Sequence, residues 1–250
     1  MKTFERVILD EAEPLAEAWE RNAAGWIEWA RLPERDSYWR FHRAAFLSLV
    51  PSPGRLTLDI GCGEGRLSRD LKALGHRVVA FDASPTAVEA ARSADPESDV
   101  QLADAAHLPL PDASVDLAIA FMSLQDVDDA AGAIREVARV LDRGGRLCMA
   151  IVHPINSVGQ FESAEPDAPF TITGQYFEPY RYRDVIEREV RLVFESWHRP
   201  LSWYVDALAD AGFLVERLAE VRVPDEAADT PRARRWQRLP LFLHIRALRP

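Results

Sequence analysis

Short apolar runs alternate with amphipathic stretches through the middle of the chain. Five runs rich in Val, Ile, Leu and Ala have the length and composition of strands: 56–60, 77–81, 100–103, 115–121 and 146–152. Three segments between them show helical spacing of apolar residues: 66–74, 86–94 and 128–141. This alternation predicts an α/β fold with a doubly wound parallel sheet, whose ligands bind beyond the carboxyl ends of the strands.

The flanking regions have different patterns. Residues from about 12 to 50 are rich in Trp and helical in spacing, which predicts that residues 1–52 form an N-terminal helical lid on a core of residues 53–250. Its aromatic residues either pack on the core or, as Trp26, Trp29 or Tyr38, cover a ligand.

The second half of the core begins with a segment of weak periodicity. Residues 155–197 contain several prolines and aromatics, and they predict a substrate-covering insertion with an added strand near 185–194. A helix over 201–211 follows. Two final strands, 214–218 and 241–247, would form an antiparallel hairpin at the edge of the sheet, completing seven strands.

Three glycines follow the first of the core strands at alternate positions: Gly61, Gly63 and Gly65. A strand that turns sharply into a helix through glycines presents backbone N–H groups and a positive helix end to a ligand. The dinucleotide fingerprint G-x-G-x-x-G would place the third glycine one residue later. Asp59 also precedes the first glycine by two positions.

Other side chains that suit a nucleoside follow the next strands. Asp82 ends the second strand about 20 residues after the glycine turn, where a carboxylate can accept hydrogen bonds from both ribose hydroxyls. The alternative is that Asp82 only caps the next helix. Asp104 and Phe121 end the third and fourth strands, so all of these residues are expected at one edge of the sheet.

The pattern D-x-G-x-G-x-G resembles motif I of the class I S-adenosylmethionine (SAM)-dependent methyltransferases, and the similarity continues to about residue 153 in the manner of type 11 and type 25 members with small-molecule acceptors. The resemblance implies a Rossmann-like sheet, SAM as cofactor and S-adenosylhomocysteine (SAH) as product. It also implies that Asp104 contacts the adenine amino group and the N–H of Ala105 the ring. The predicted cofactor-binding residues are Asp59, Gly61, Cys62, Gly63, Gly65, Asp82, Ala83, Asp104, Ala105 and Phe121.

Methyl transfer from a sulfonium needs a base only when the acceptor is protonated. His153, at the end of the fifth strand, and His198 titrate in a useful range, and Tyr176 is a weaker candidate. For each of the three, a structural role is the alternative. Gln125 and Asp126 could polarise a nucleophile, or they could simply begin the following helix.

Charge and composition limit the class of molecule that can accept the methyl group. The net charge is −10 and the isoelectric point about 5.2, which disfavours nucleic acid as a partner. A local basic cluster, Arg232, Arg234, Arg235 and Arg238, is expected in a solvated loop. No Asn/Asp-Pro-Pro-Tyr/Phe sequence follows the fourth strand, which argues against the amino-methylating group that acts on nucleic acids and protein glutamine. We therefore expect a small-molecule acceptor, with an aromatic one favoured by the lid and with oxygen or nitrogen as the methylated atom.

The remaining features predict a cytoplasmic protein, monomeric or homodimeric, that uses no metal. Cys62 and Cys148 give neither a metal spacing nor a disulfide framework. No signal peptide is evident, and no apolar run reaches the ~18 residues of a membrane span.

Two other functions are compatible with a glycine turn. A SAM-binding regulatory or sensor protein on the same fold would share the cofactor site but lack turnover. An NAD-dependent oxidoreductase is disfavoured by the glycine spacing.

Overall fold

The computed structural model describes residues 4–9, 13–33, 36–187 and 191–250. Its strands, in chain order, are β1 (Phe4–Leu9), β2 (Thr57–Ile60), β3 (Val78–Asp82), β4 (Asp99–Leu102), β5 (Val115–Phe121), β6 (Leu141–Val152), β7 (Gly159–Phe161), β8 (Phe170–Ile172), β9 (Tyr180–Glu187), β10 (Arg191–His198), β11 (Leu214–Val221) and β12 (Phe242–Leu248). Its α-helices are α1 (Leu15–Ala30), α2 (Arg43–Leu47), α3 (Arg66–Ala73), α4 (Pro85–Ala94), α5 (Ala130–Val140), α6 (Pro154–Val158), α7 (Leu201–Asp210) and α8 (Pro231–Arg234). A π-helical turn, Tyr38–His42, leads into α2.

Seven strands form the central sheet in the spatial order β11-β12-β6-β5-β2-β3-β4. The strands β2 to β6 pair in parallel, whereas β12 runs antiparallel to both β6 and β11 and lies second from the edge. From β2 the chain builds outward through β3 and β4, and it then returns to build β5 and β6 on the other side. The strand order therefore reverses between β2 and β5, where open α/β sheets bind ligands. The predicted doubly wound, mostly parallel sheet is confirmed.

The core forms because β5 is buried along nearly its whole length and α5 covers it with one apolar face. Asp129 caps α5 by accepting a hydrogen bond at Oδ1 from the N–H of Gly132, 2.7 Å away. Ile134 and Val137 on the apolar face of the helix are fully buried. Strands buried on both faces read as continuous apolar runs, which is why these elements could be predicted from sequence.

We expect Ile134→Ala to destabilise the fold by about 2–5 kcal/mol, because it removes buried methyl groups and leaves a cavity beneath α5. Urea unfolding followed by circular dichroism measures the change in the free energy of unfolding. Leu74→Ala on the exposed end of α3 is the control, with an expected change below about 1 kcal/mol. Equal losses in both variants would contradict this account of the core.

A second, three-stranded antiparallel sheet in the order β1-β9-β10 lies beside the central one, and β7 and β8 form a short hairpin. Two expectations are corrected here. The segment before the core is not purely helical, since it contains β1. The single added strand expected near 185–194 is instead two strands, β9 and β10, paired in a hairpin. Pairing partners of β1 lie more than 170 residues away, so no local pattern reveals the strand.

Helix α1 joins the small sheet to the carboxyl edge of the central one. The indole N–H of Trp19 donates to the backbone oxygen of Glu195 in β10, at 3.1 Å. On the other side, the Glu20 carboxylate accepts from the hydroxyl of Thr86 at 2.6 Å in the first turn of α4. The N-terminal region and the insertion thus form one cover over the strand ends. Within the described residues, no helix is both long and apolar enough to cross a membrane.

Candidate active site

A cavity of about 1220 Å³ lies at the carboxyl edge of the central sheet, at the reversal of strand order. Its floor is the glycine turn and the ends of β3, β4 and β5. The cover consists of α1, the π-helical turn, the small sheet and residues 223–236 between β11 and β12. Because all four parts face one space, the cavity is the candidate active site.

The glycine turn needs glycine for both conformation and space. Gly61, Gly63 and Gly65 have φ angles of +65°, +57° and +80°, in the left-handed region that L side chains rarely adopt. A Cβ on Gly63 would lie 2.6 Å from Cη2 of Trp26, and one on Gly61 would overlap the side chain of Ser123. The turn is therefore a close-packed backbone cradle whose wall is the indole of α1.

Asp82 links the end of β3 to this cradle. Its Oδ2 accepts from the N–H of Gly63 at 2.7 Å, and its Oδ1 accepts from the N–H of Ser84 at 2.9 Å. Burial raises the pKa of Asp82, and these amide hydrogen bonds oppose that rise. Ser84, not Asp82, caps α4, because its hydroxyl accepts from the N–H of Ala87. Asp82 lines the cavity, and the remaining acceptor capacity of its carboxylate suits ribose hydroxyls.

Two further acids of the predicted cofactor set differ in their surroundings. Asp59 is buried, and burial raises its pKa to about 7 even though the hydroxyl of Ser68 donates to it at 2.5 Å. Asp104 is exposed, and its Oδ1 accepts from the N–H of Ala106 at 3.0 Å. Asp104 is thus held by its own loop at the cavity wall, with capacity for another donor.

Nine of the ten predicted cofactor residues line the cavity: Asp59, Gly61, Cys62, Gly63, Asp82, Ala83, Asp104, Ala105 and Phe121. Gly65 lies behind the turn, where it caps α3. A backbone cradle, a carboxylate at the end of β3 and a second acid at the end of β4 together fit a nucleoside with a charged tail, as SAM is.

The three predicted acid–base residues are not part of the described cavity wall. His153 caps α6, accepting from the N–H of Ile155 at 3.1 Å, and its other ring nitrogen lies 3.0 Å from the Glu220 carboxylate. His198 is buried between the Ser157 hydroxyl and the backbone oxygen of Tyr176. Both imidazoles use both ring nitrogens, and the mechanism proposed below uses none of the three.

Unlike those three residues, a polar cluster just beyond the end of β5 is part of the cavity wall. Asp126 follows β5 in a short 3₁₀ turn, and its Oδ1 accepts from the hydroxyl of Ser196 at 2.5 Å. Gln125 donates to its Oδ2 at 3.0 Å, while the buried Oε1 of Gln125 has no partner among the described residues. Burial raises the pKa of Asp126 to about 8. The sequence left two roles open for this pair, polarising a nucleophile or beginning the following helix. It did not reveal the hydroxyl partner, since Ser196 comes from β10, 70 residues away.

Aromatic side chains close the cavity. Trp26, Trp29 and Tyr38 all line it, so the sequence-based hypothesis of a cover agrees with their position. They also pack: the Arg66 guanidinium lies 4.2 Å from the ring centroid of Tyr38 and 5.4 Å from that of Trp26. Trp26 and Tyr38 therefore both pack against Arg66 and line the cavity, and a covering role over a ligand stays a prediction.

Comparison with known proteins supports the assignment of the cavity as a SAM site. Residues 58–149 match the methyltransferase domain family. The chain is 40% identical over 122 residues to a probable S-adenosylmethionine-dependent methyltransferase of Mycobacterium tuberculosis, covering 47% of this chain and 44% of that protein. It is 38% identical over 92 residues to the malonyl-[acyl-carrier protein] O-methyltransferase of Yersinia pestis, covering 37% of this chain and 34% of that one. The chain thus spans less than half the length of these curated relatives.

A solved structure is similar over a larger part of the chain. An S-adenosylmethionine-dependent methyltransferase from Mesorhizobium loti superimposes with a TM-score of 0.71 at 25% sequence identity, over 87% of this chain and the whole of that one. The segment that matches the methyltransferase domain family, residues 58–149, contains the glycine turn, Asp82 and Asp104. Residues 58–149 thus match a methyltransferase domain, and the fold is similar to that of an S-adenosylmethionine-dependent methyltransferase.

Proposed function

We propose that this protein transfers the methyl group of SAM to a small-molecule acceptor by in-line displacement. The observation that carries the proposal is the continuity of the cavity. One space joins the glycine turn and Asp82 to the polar cluster of Asp126 and Ser196. A bound methyl donor and an acceptor can therefore meet inside one cavity.

The size of the cavity favours an enzyme over a sensor. Its volume of about 1220 Å³ exceeds the ~300–1,000 Å³ of a typical single-ligand pocket. A protein that only senses SAM needs no such extra space. The additional part is lined by the small sheet and by residues 223–236, which lie outside the segment that matches the family.

The chain's residues position and shield the reactants. The Asp82 carboxylate would hold the ribose of the nucleoside against the backbone of the glycine turn, and Asp104 would accept a hydrogen bond from the adenine amino group. When bound, SAM supplies an electrophilic methyl group on a sulfonium. Trp26 and Tyr38 exclude water above the turn, and a fixed approach of the acceptor accounts for most of the catalysis in such a transfer.

Asp126 is the proposed general base. Its carboxylate sits in the cavity wall just beyond β5, beside the strand-order reversal, and Ser196 and Gln125 fix its two oxygens. A protonated acceptor would release its proton to a carboxylate oxygen of Asp126 as the methyl arrives. The pKa of about 8 suits proton transfer near neutral pH.

Label transfer tests the proposal. The purified protein is incubated with methyl-labelled SAM and a small-molecule extract of its source organism, and labelled products are identified by mass spectrometry. We expect at least one labelled small molecule that is absent when the protein is heat-denatured. SAH binding without any labelled product would favour the sensor alternative.

A further inference from the structure

Two arginines in residues 223–236, the segment between β11 and β12, face the same cavity as the glycine turn. Arg232, in α8, and Arg235, in the 3₁₀ turn that follows, both line it. The sequence placed the basic cluster in a solvated loop. Arg234 and Arg238 are indeed exposed, but Arg232 and Arg235 are half-buried.

Neither guanidinium has an acidic partner in the part of the chain that the structure describes. Other arginines of the cavity wall are neutralised: Arg6 pairs with Asp184 at 2.7 Å, Arg66 pairs with Asp36, and Arg40 pairs with Asp229 at 2.6 Å. Glu162, an acid of the same wall, accepts instead from the hydroxyl of Thr171 at 2.7 Å. Two like charges therefore remain uncompensated in a partly desolvated place, which is costly unless a ligand supplies the counter-charge.

Arg235 is held in place, but not all of its hydrogen-bond donors have partners. Its guanidinium lies 4.8 Å from the ring centroid of Phe161 and donates to the backbone oxygen of Ser163. Its Nε is buried and has no partner in the described residues. Burial and the neighbouring Arg232 lower the pKa of Arg235 to about 10, so the group is still charged at neutral pH. The guanidinium also lines the cavity, and its Nη2 makes no described hydrogen bond, so it is suited to a carboxylate or phosphate.

The surroundings of this pair are aromatic. Phe161 meets Phe170 and Trp236 edge to face, with ring centroids 5.0 and 4.9 Å apart. All but Phe170 line the cavity. An occupant of this region would therefore place an anionic group on the arginines and apolar or aromatic atoms on the rings.

We propose that Arg232 and Arg235 bind an anionic group, a carboxylate or a phosphate, on the methyl acceptor. The inference rests on the proposed function and adds the acceptor's class: an acid with an apolar or aromatic body. The two arginines are specificity residues, since they contact the acceptor away from the methylated atom.

Calorimetric titration of the SAH-saturated protein with benzoate, phenyl phosphate and benzamide tests the proposal. The three probes share a phenyl ring and differ in the charge and kind of headgroup. We expect at least one anion to bind at least about tenfold more tightly than the neutral benzamide. Which of the two binds more tightly assigns the headgroup.

Arg232→Gln and Arg235→Gln should each remove most of this preference, whereas Arg217→Gln, an exposed arginine on β11, should retain it. Arg232 makes no described hydrogen bond, so its variant stays informative if Arg235→Gln does not fold. Equal binding of benzamide and the anions, no anion binding to a protein that binds SAH, or a preference that persists in both variants would overturn the proposal. A failure to bind SAH counts against the proposed function instead. Repeating the probe titrations without SAH distinguishes that failure from the results that would overturn the arginine site.

Discussion

Asp82→Ala should weaken SAH binding by about 1.5–3 kcal/mol, which is roughly a 10- to 150-fold rise in the dissociation constant. The substitution removes the carboxylate that we propose accepts hydrogen bonds from the ribose hydroxyls. It also removes the acceptor for the N–H of Gly63, so the glycine turn loses one of its anchors. Both effects act on the same ligand, and calorimetry measures their sum.

Two further variants separate these effects. Asp82→Asn keeps an acceptor oxygen of the same reach, and we expect an intermediate loss because a neutral amide accepts more weakly than a carboxylate. Asp99→Ala removes the same charge from the exposed start of β4, outside the cavity wall, and should leave the dissociation constant unchanged. An unaltered affinity in a folded Asp82→Ala protein would contradict the placement of the ribose.

Asp126→Asn should lower kcat by about 10²- to 10⁴-fold with the acceptor found by label transfer, because it removes the proposed general base. SAH affinity should stay within about twofold, since the glycine turn and Asp82 are untouched. The variant should also fold, because burial already favours the neutral form of Asp126. Loss of turnover with retained SAH binding is the expected combination.

The proposed role of Asp126 also predicts how kcat/KM depends on pH. A base works only when deprotonated, so with a pKa of about 8 the wild-type kcat/KM should rise about tenfold per pH unit below that value and level off above it. Ser196→Ala removes a hydrogen bond that lowers this pKa, and its profile should move to higher pH. A flat wild-type profile, or one that Ser196→Ala does not move, would count against Asp126.

The central sheet was predictable from sequence because its signals are local. β5 is a continuous apolar run, α5 repeats its apolar residues at helical spacing, and glycines mark the turn after β2. Nine of the ten predicted cofactor residues line the cavity for the same reason: each follows a strand, and parallel strands end at one edge.

The cover and the acceptor side depend on contacts between distant residues. β1 is specified by pairing with β9, and Asp126 obtains its hydroxyl partner from β10. Arg235 looked solvated because flanking prolines and charges are typical of loops, yet its loop folds back over the cavity. His153 and His198 were reasonable bases by chemistry, but only the fold reveals that their ring nitrogens are already bonded.

The central claim is that the glycine turn and Asp82 hold SAM in this cavity. Calorimetric titration of the purified protein with SAH, with NADH in parallel, tests it most directly. The account predicts one-site binding of SAH with a micromolar dissociation constant and no binding of NADH. A folded, nucleotide-free protein that fails to bind SAH, or that binds NADH in preference, would contradict it.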